Sequence, residues 1–253
     1  MRTLLTWICL LGLGGCVGQG GWGSAAHWPT GSQLSEAART AAKDPTVWVP
    51  VLTAGAMLAA DVDKKWSEDL ADDQPLFGDD ADKISSTLRD VASGAYVLTA
   101  LIAPSPTVQD KFKGISVGVA TAVLDGVVSY SLKEAVGRER PDGSNDRSMP
   151  SGHASKAASR TYMARRNLAY IDMPEWSRQT LNVSLHAVAI GTGLARVEAR
   201  KHHLADVLVG YALGNFLAGF MYEAFLESDL DGPQISFQAV DQGGAFTLTL
   251  PLH

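Results

Sequence analysis

The 253 residues carry 21 Lys and Arg against 27 Asp and Glu, a formal net charge of −6, with a mean hydropathy of +0.03. That balance excludes a chain built for nucleic acid or for an anionic lipid surface, and it does not describe a chain made wholly of spanning helices. Both cysteines, Cys9 and Cys16, fall near the start, so a chain processed there has no disulfide and rests on its hydrophobic core.

Met1-Arg2-Thr3 is a short basic start, and Leu4 to Leu13 is an apolar run of signal-peptide length, too short to span a bilayer as a helix. Leu13-Gly14-Gly15-Cys16 resembles the bacterial lipobox. That resemblance implies diacylglycerol attachment to Cys16, cleavage before it, and fatty acylation of the new N-terminus. Several acyl chains anchor stably where one does not. No Asp follows Cys16, which in a Gram-negative cell resembles outer-membrane sorting, facing the periplasm. The plainer reading is an ordinary secretory signal or an N-terminal helix. Loss of Arg2 would take the net charge from −6 to −7.

Residues 17 to 34, rich in Gly and Ser, read as a tether. Helices are expected over Ser35–Lys43 and from Pro45 to about Ala60. Asp61 to Asp82 is strongly acidic and reads as a solvated loop, with a lid as the alternative; its carboxylates lack a metal-ligand spacing. Further helices are expected over Ala81–Ala103, Val108–Val136, Ser151–Ala169, Pro174–Glu198 and His202–Glu227. Asp231-Gly232-Pro233 stops the last, and Ile235–Val240 with Ala245–Leu250 read as a small hairpin. His186, on an apolar helix, reads as a core or boundary histidine.

Three clusters carry chemistry. Lys133 lies on the last turn of the long apolar helix, Gly137 stops that helix, and Arg140-Pro141 follows on the loop, so two cations can meet one anion. A solvated basic helix end is the plainer reading. Ser151 is an N-cap residue after Pro150. The first N–H groups of the helix behind it attract anions, Gly152 permits close approach, and His153 stands in the first turn, suited to proton transfer. An ordinary N-cap with an exposed His would look the same. Arg196 is a third cation. His202 and Asp206, four apart, share a face if one helix includes both, and the carboxylate could then orient the imidazole for attack on phosphorus. His203 would point about 100° away. A structural hydrogen bond is the alternative for that pair.

In this order, Lys-x6-Arg-Pro, Pro-Ser-Gly-His and Arg-x5-His-x3-Asp resemble the three-part signature of the type 2 phosphatidic acid phosphatase superfamily, over roughly residues 80 to 226. The superfamily includes class A acid phosphatases, lipid phosphatases and vanadium haloperoxidases. The resemblance implies His202 as nucleophile, His153 as acid and base for the leaving group, and Asp206 as partner of His202. It also implies that Lys133, Arg140, Ser151, Gly152 and Arg196 cradle the phosphate. Ala195 stands where the family usually has Ser, so one hydroxyl contact is absent.

The resulting expectation is an all-α helical bundle of the acid phosphatase and vanadium haloperoxidase type with a small C-terminal hairpin. It divides into a leader (1–15), a lipidated tether (16–34), a phosphatase domain (35–232) and the hairpin (233–253). The runs Ile115–Leu132 and Val207–Leu226 approach spanning length, but Asp125 and Glu223 interrupt or bound them, so a soluble bundle on a lipid tether is expected. The expected activity is metal-independent hydrolysis of phosphomonoesters or diphosphates, plausibly of lipids, through a phosphohistidine, with no cofactor and no nucleic-acid partner. The alternatives are a vanadium-dependent haloperoxidase and a non-catalytic phosphate-binding lipoprotein.

Overall fold

The computed structural model describes residues 21–226 in full, together with the backbone of Gln234–Val240 and Gly243–Thr249. The expected leader and the acylated Cys16 lie outside the described residues.

Helices α1 (Gly31–Lys43) and α2 (Pro45–Ala59) come first. Thr30 and Gln33 form a capping box at the start of α1, and Asp44 caps α2 ahead of Pro45. After Asp61, at φ 53°, the chain turns sharply into α3 (Asp63–Asp73). A 3₁₀ turn at Gly78–Asp80 leads into α4 (Ala81–Ile102). Then come α5 (Val108–Val136), α6 (Gly152–Leu168), α7 (Glu175–Glu198) and α8 (Leu204–Phe225). Thr107 caps the start of α5. Gly137, left-handed at φ 57°, ends it, the stop that the sequence reading expected.

Residues 21–226 fold as an all-helical bundle, with α6 and α8 at its centre. They pack most extensively on each other, and α4, α7 and α5 surround α6. Small residues make this possible. α6 buries Ala154, Ser155, Ala157, Ala158 and Ser159. On α8, a Cβ at Gly210 would stand 2.4 Å from the Ser151 carbonyl oxygen, and one at Gly214 would be closer still to that of Ser155. Two glycines one turn apart therefore let α8 touch the backbone at the start of α6.

Two expectations need correction here. The tether does not extend to residue 34. Trp22 is fully buried with Tyr96, Ala100 and Ala103, its backbone N–H donates to the Pro104 carbonyl, and its ring lies against Gly114. An indole of this size gains several kcal/mol by leaving water, on the order of 3 kcal/mol, which holds the segment in place. The acidic stretch 61–82 is not a solvated loop either. It contains α3, whose Asp63 and Ser67 are buried and accept the free N–H groups of Ala205 and Leu204 at the start of α8, each at 2.8 Å. Glu198, 1% exposed, accepts the N–H groups of Leu76 and Phe77 and pins the remainder.

The outer surface departs from that of a water-soluble bundle. On α5, Val108, Phe112, Val119, Val123 and Val127 are exposed along one stripe, while the buried face holds Gly114, Gly118, Thr121, Asp125 and Ser129. Leu98, Leu101 and Ile102 on α4 and Val183 and Ile190 on α7 are exposed as well. A helix that turns its polar face inward and its apolar face outward has the polarity suited to hydrocarbon, not water. α5 and α8 are each long and apolar enough to cross a membrane.

At the C-terminus, the backbone of β1 (Gln234–Val240) and β2 (Gly243–Thr249) is assigned antiparallel, with Phe237 opposite Phe246. The turn between them and the residues that would join them to α8 lie outside the described residues.

Candidate active site

The three clusters come together at one end of the bundle, where α5 ends, α6 begins and α7 passes into α8. Lys133, in the last turn of α5, donates through Nζ to the carbonyls of Arg147, at 2.9 Å, and Pro150. It therefore ties the loop before α6 to α5, and its Cε lies 3.7 Å from where a Gly152 Cβ would stand. Arg140, Glu134, Asn145 and Arg147 line a cleft of about 550 Å³ together with Lys133; neither His153 nor His202 lines it.

Ser151 caps α6 by position, but its hydroxyl makes no capping bond. Its N–H donates to the Asp206 carbonyl at 2.8 Å, which joins the second cluster to the third. Arg196, 5% exposed, donates through Nη1 to Asp82 and, at 3.3 Å, to Ser85. Its carbonyl accepts from Lys201 N, at 3.0 Å, and His202 N, at 3.3 Å, a turn that folds His202 back toward Arg196. Ala195 is fully buried one residue earlier and offers no hydroxyl.

His202 and Asp206 do not share a helix. α8 begins at Leu204 with His203 as its N-cap, so His202 lies on the preceding loop. Asp206 sits in the first turn and turns its carboxylate back, accepting His203 N–H at 2.8 Å, the Ser148 hydroxyl and Arg138 Nη1 at 2.7 Å. His202 Nδ1 is 3.8 Å from Asp206 Oδ2, beyond hydrogen-bond length, and His203 Nδ1 is 3.4 Å from the same oxygen. The pairing is electrostatic, and the carboxylate faces both rings.

Sequence reasoning missed Arg138, Asp63 and Arg89. Arg138 bridges Asp206 and Asp63, the second at 2.6 Å. It lies inside the first motif, between Gly137 and Arg140, but spacing alone gives it no partner. Arg89, on α4, donates through Nη1 to His153 Nε2 at 2.9 Å. Nothing local in the sequence marks it.

Burial lowers the pKa of His202 to about 4; Asp206 opposes this, while Lys133 and Arg196 add to it. Burial likewise lowers His153, to about 3, helped by Arg196, Arg89, His202 and Lys156. Both imidazoles are therefore neutral at pH 7. An unfolded His takes a proton near pH 6.5, so below that pH the unfolded chain binds more protons than the folded one. The stabilisation is complete above about pH 6.5 and is lost as pH falls toward 4 and then 3. The melting temperature should fall between pH 7 and 4, and less steeply in His153→Ala and His202→Ala. An unchanged slope in both variants would refute this assignment.

Five of the eleven buried side-chain polar atoms without a hydrogen-bond partner among the described residues belong to these clusters: Arg140 Nε, Ser151 Oγ, Arg196 Nε, His202 Nδ1 and His203 Nδ1. Unpaired buried donors are costly, and an oxyanion supplies the acceptors that the Arg and Ser groups lack. The arrangement is suited to holding a tetrahedral oxyanion between cations, beside an imidazole.

The chain is similar to known phosphatases in sequence and in fold. A stretch of 100 residues, 40% of the chain, is 33% identical to the lipid A 1-phosphatase of Porphyromonas gingivalis. The chain spans only 21% of the length of that relative. The fold is similar to that of a transmembrane PAP2-type phosphatidylglycerolphosphate phosphatase from Bacillus subtilis, with a TM-score of 0.52 and 22% identity, covering 69% of this chain and 90% of that one. Residues 113–229, which include all three clusters, match the PAP2 superfamily.

Proposed function

We propose that the protein is a membrane-associated phosphatase acting on lipid phosphates or diphosphates, through a phosphohistidine at His202. The observation that carries this reading is the meeting of Lys133, Arg140 and Arg196, the α6 N-terminus and two neutral imidazoles at one buried locus with unpaired donors. His202 bears its lone pair on Nε2, since Nδ1 faces Asp206. Nε2 attacks phosphorus and the bond from phosphorus to the leaving oxygen breaks with its electron pair on oxygen; His153, neutral in the free protein, takes a proton from solvent once the bound phosphate anion favours its charged form, and gives that proton to the leaving oxygen, becoming neutral again. Water, deprotonated by His153, then cleaves the phosphohistidine. Lys133, Arg140 and Arg196, with the Ser151 hydroxyl and the Gly152 N–H, offset charge on the transferring group, a role that metal ions fill in other phosphoryl-transfer enzymes.

A screen of phospholipid phosphates, prenyl diphosphates and soluble phosphomonoesters, with and without EDTA, tests the reading. Hydrolysis that survives EDTA is expected. Loss on chelation, restored by Mg²⁺ or Zn²⁺, would count against the mechanism, and halide oxidation with added vanadate would point to a haloperoxidase instead.

The surface supports a closer relation to the membrane than a tether. α5 and α8 cross the bilayer, with the apolar stripes of α4, α5 and α7 toward lipid, and the site lies at the interface. The leader, the acylated Cys16, outer-membrane sorting and the hairpin at 233–253 complete the proposed plan. Cys16→Ser separates the two attachments. A variant that still needs detergent is held by its helices, whereas release of the variant by carbonate washing would mean that the wild-type protein is held by its lipid alone, and the spanning reading is then wrong.

A further inference from the structure

Arg89 lies outside residues 113–229 and outside the three clusters. On α4 it follows Asp82 by seven residues and Ser85 by four, so the three share one face. Asp82 and Ser85 bind Arg196 while Arg89 binds His153, and this face of α4 thereby forms a wall of the site. Nε and Nη2 of Arg89 are both held by Asp90 Oδ1, at 3.0 and 2.8 Å, which orients the guanidinium and leaves Nη1 aimed at His153 Nε2. The side chain is 28% exposed, open to a ligand from outside.

Arginine only donates, so His153 Nε2 must accept, and the ring proton sits on Nδ1. While that bond stands, Nε2 cannot carry the proton that a leaving oxygen needs. In an in-line transfer the proton donor serves the leaving-group side, opposite the attacking nitrogen, and Arg89 is bonded to that donor. An oxyanion on that side would be a stronger partner for a guanidinium than a neutral imidazole, because it adds the attraction of opposite charges and can take two N–H groups of the fork.

We propose that Arg89 reads the leaving group: it passes from His153 to an anion carried by that group and thereby frees His153 Nε2 for protonation. The favoured substrates are phosphoryl compounds whose leaving group is itself anionic, an alkyl diphosphate being the simplest. This rests on the phosphatase reading of the site. The bond between His202 Nε2 and the terminal phosphorus forms, the bridging P–O bond breaks with its electron pair going to oxygen, and His153 gives that oxygen a proton. Arg89 holds the departing alkyl monophosphate.

The test compares a prenyl diphosphate with the matching prenyl monophosphate on the full-length protein. Arg89→Ala should lower kcat/KM on the diphosphate about 10- to 100-fold more than on the monophosphate, the range for a lost charge-assisted bond. Arg89→Lys, which keeps the charge but not the fork, should recover part of the difference. Equal losses on both substrates, or none, would overturn the proposal, and the monophosphate rate reports any general loss of folding. Binding to the His202→Ala protein gives an answer that does not depend on turnover. There, adding Arg89→Ala should weaken diphosphate binding at least about tenfold more than monophosphate binding. An unchanged ratio refutes the role of Arg89, whereas wild-type protein that hydrolyses neither compound yet shows the shifted ratio refutes only the phosphatase reading.

Discussion

His202→Ala should abolish the phosphoenzyme with every substrate and lower turnover by on the order of 10³-fold or more, as expected when the attacking atom itself is removed. His153→Ala should fail differently. It removes the proton donor, and a poor leaving group such as an alkoxide needs that proton, whereas nitrophenolate departs with less help. The loss should reach about 10²- to 10⁴-fold on alkyl phosphates and be smaller on aryl phosphates, with the intermediate still formed. His203 is the necessary control because its Nδ1 is nearer than that of His202 to the same Asp206 oxygen, 3.4 against 3.8 Å. Proximity to the carboxylate therefore does not separate the two rings. Quenched-flow trapping of acid-labile phosphohistidine does: it should be absent in His202→Ala and present in His203→Ala. The reverse result would transfer the nucleophile to His203.

Arg138→Ala should be the most damaging substitution for stability. Asp206 is fully buried and Asp63 is 2% exposed, and the two carboxylates share this one guanidinium through bonds of 2.7 and 2.6 Å. Ser148 and His203 N–H remain for Asp206, and Ala205 N–H for Asp63, but these are neutral donors. Removing the cation leaves two buried negative charges facing each other, and breaking a buried ion pair from one side typically costs about 3–5 kcal/mol. For a chain of this size the melting temperature should drop by on the order of 10 °C. Arg138→Lys should fall between, because an ammonium cannot reach two carboxylates with the geometry of a fork. A melting temperature within about 2 °C of wild type for Arg138→Ala would show that the bridge contributes little, as exposed pairs do.

The sequence by itself determined the long helices, though not α3, and the order of the chemistry. Gly137 marks the end of α5, and Pro150-Ser151-Gly152 announces the start of α6, because caps and breakers act on their immediate neighbours. Lys133, Arg140, His153 and His202 each lie at or beside a helix end, and they were legible as a set only through the resemblance of the three motifs, in their order, to a known signature. What depends on partners distant in the chain was not legible. Asp63 reads as one more solvated acid until Arg138, 75 residues on, and Ala205, 142 residues on, are placed against it. Trp22 looks like part of a tether until Pro104 and Gly114 enclose it. His202 and Asp206 have helical spacing, yet the helix starts between them, because the backbone of the intervening turn is held by the Arg196 carbonyl. Periodicity gave α5 an apolar face without saying which way it points. Only the packing of Gly114, Gly118 and Asp125 against the rest of the bundle turned that face outward, since a helix buries whichever side its neighbours can fit and pair.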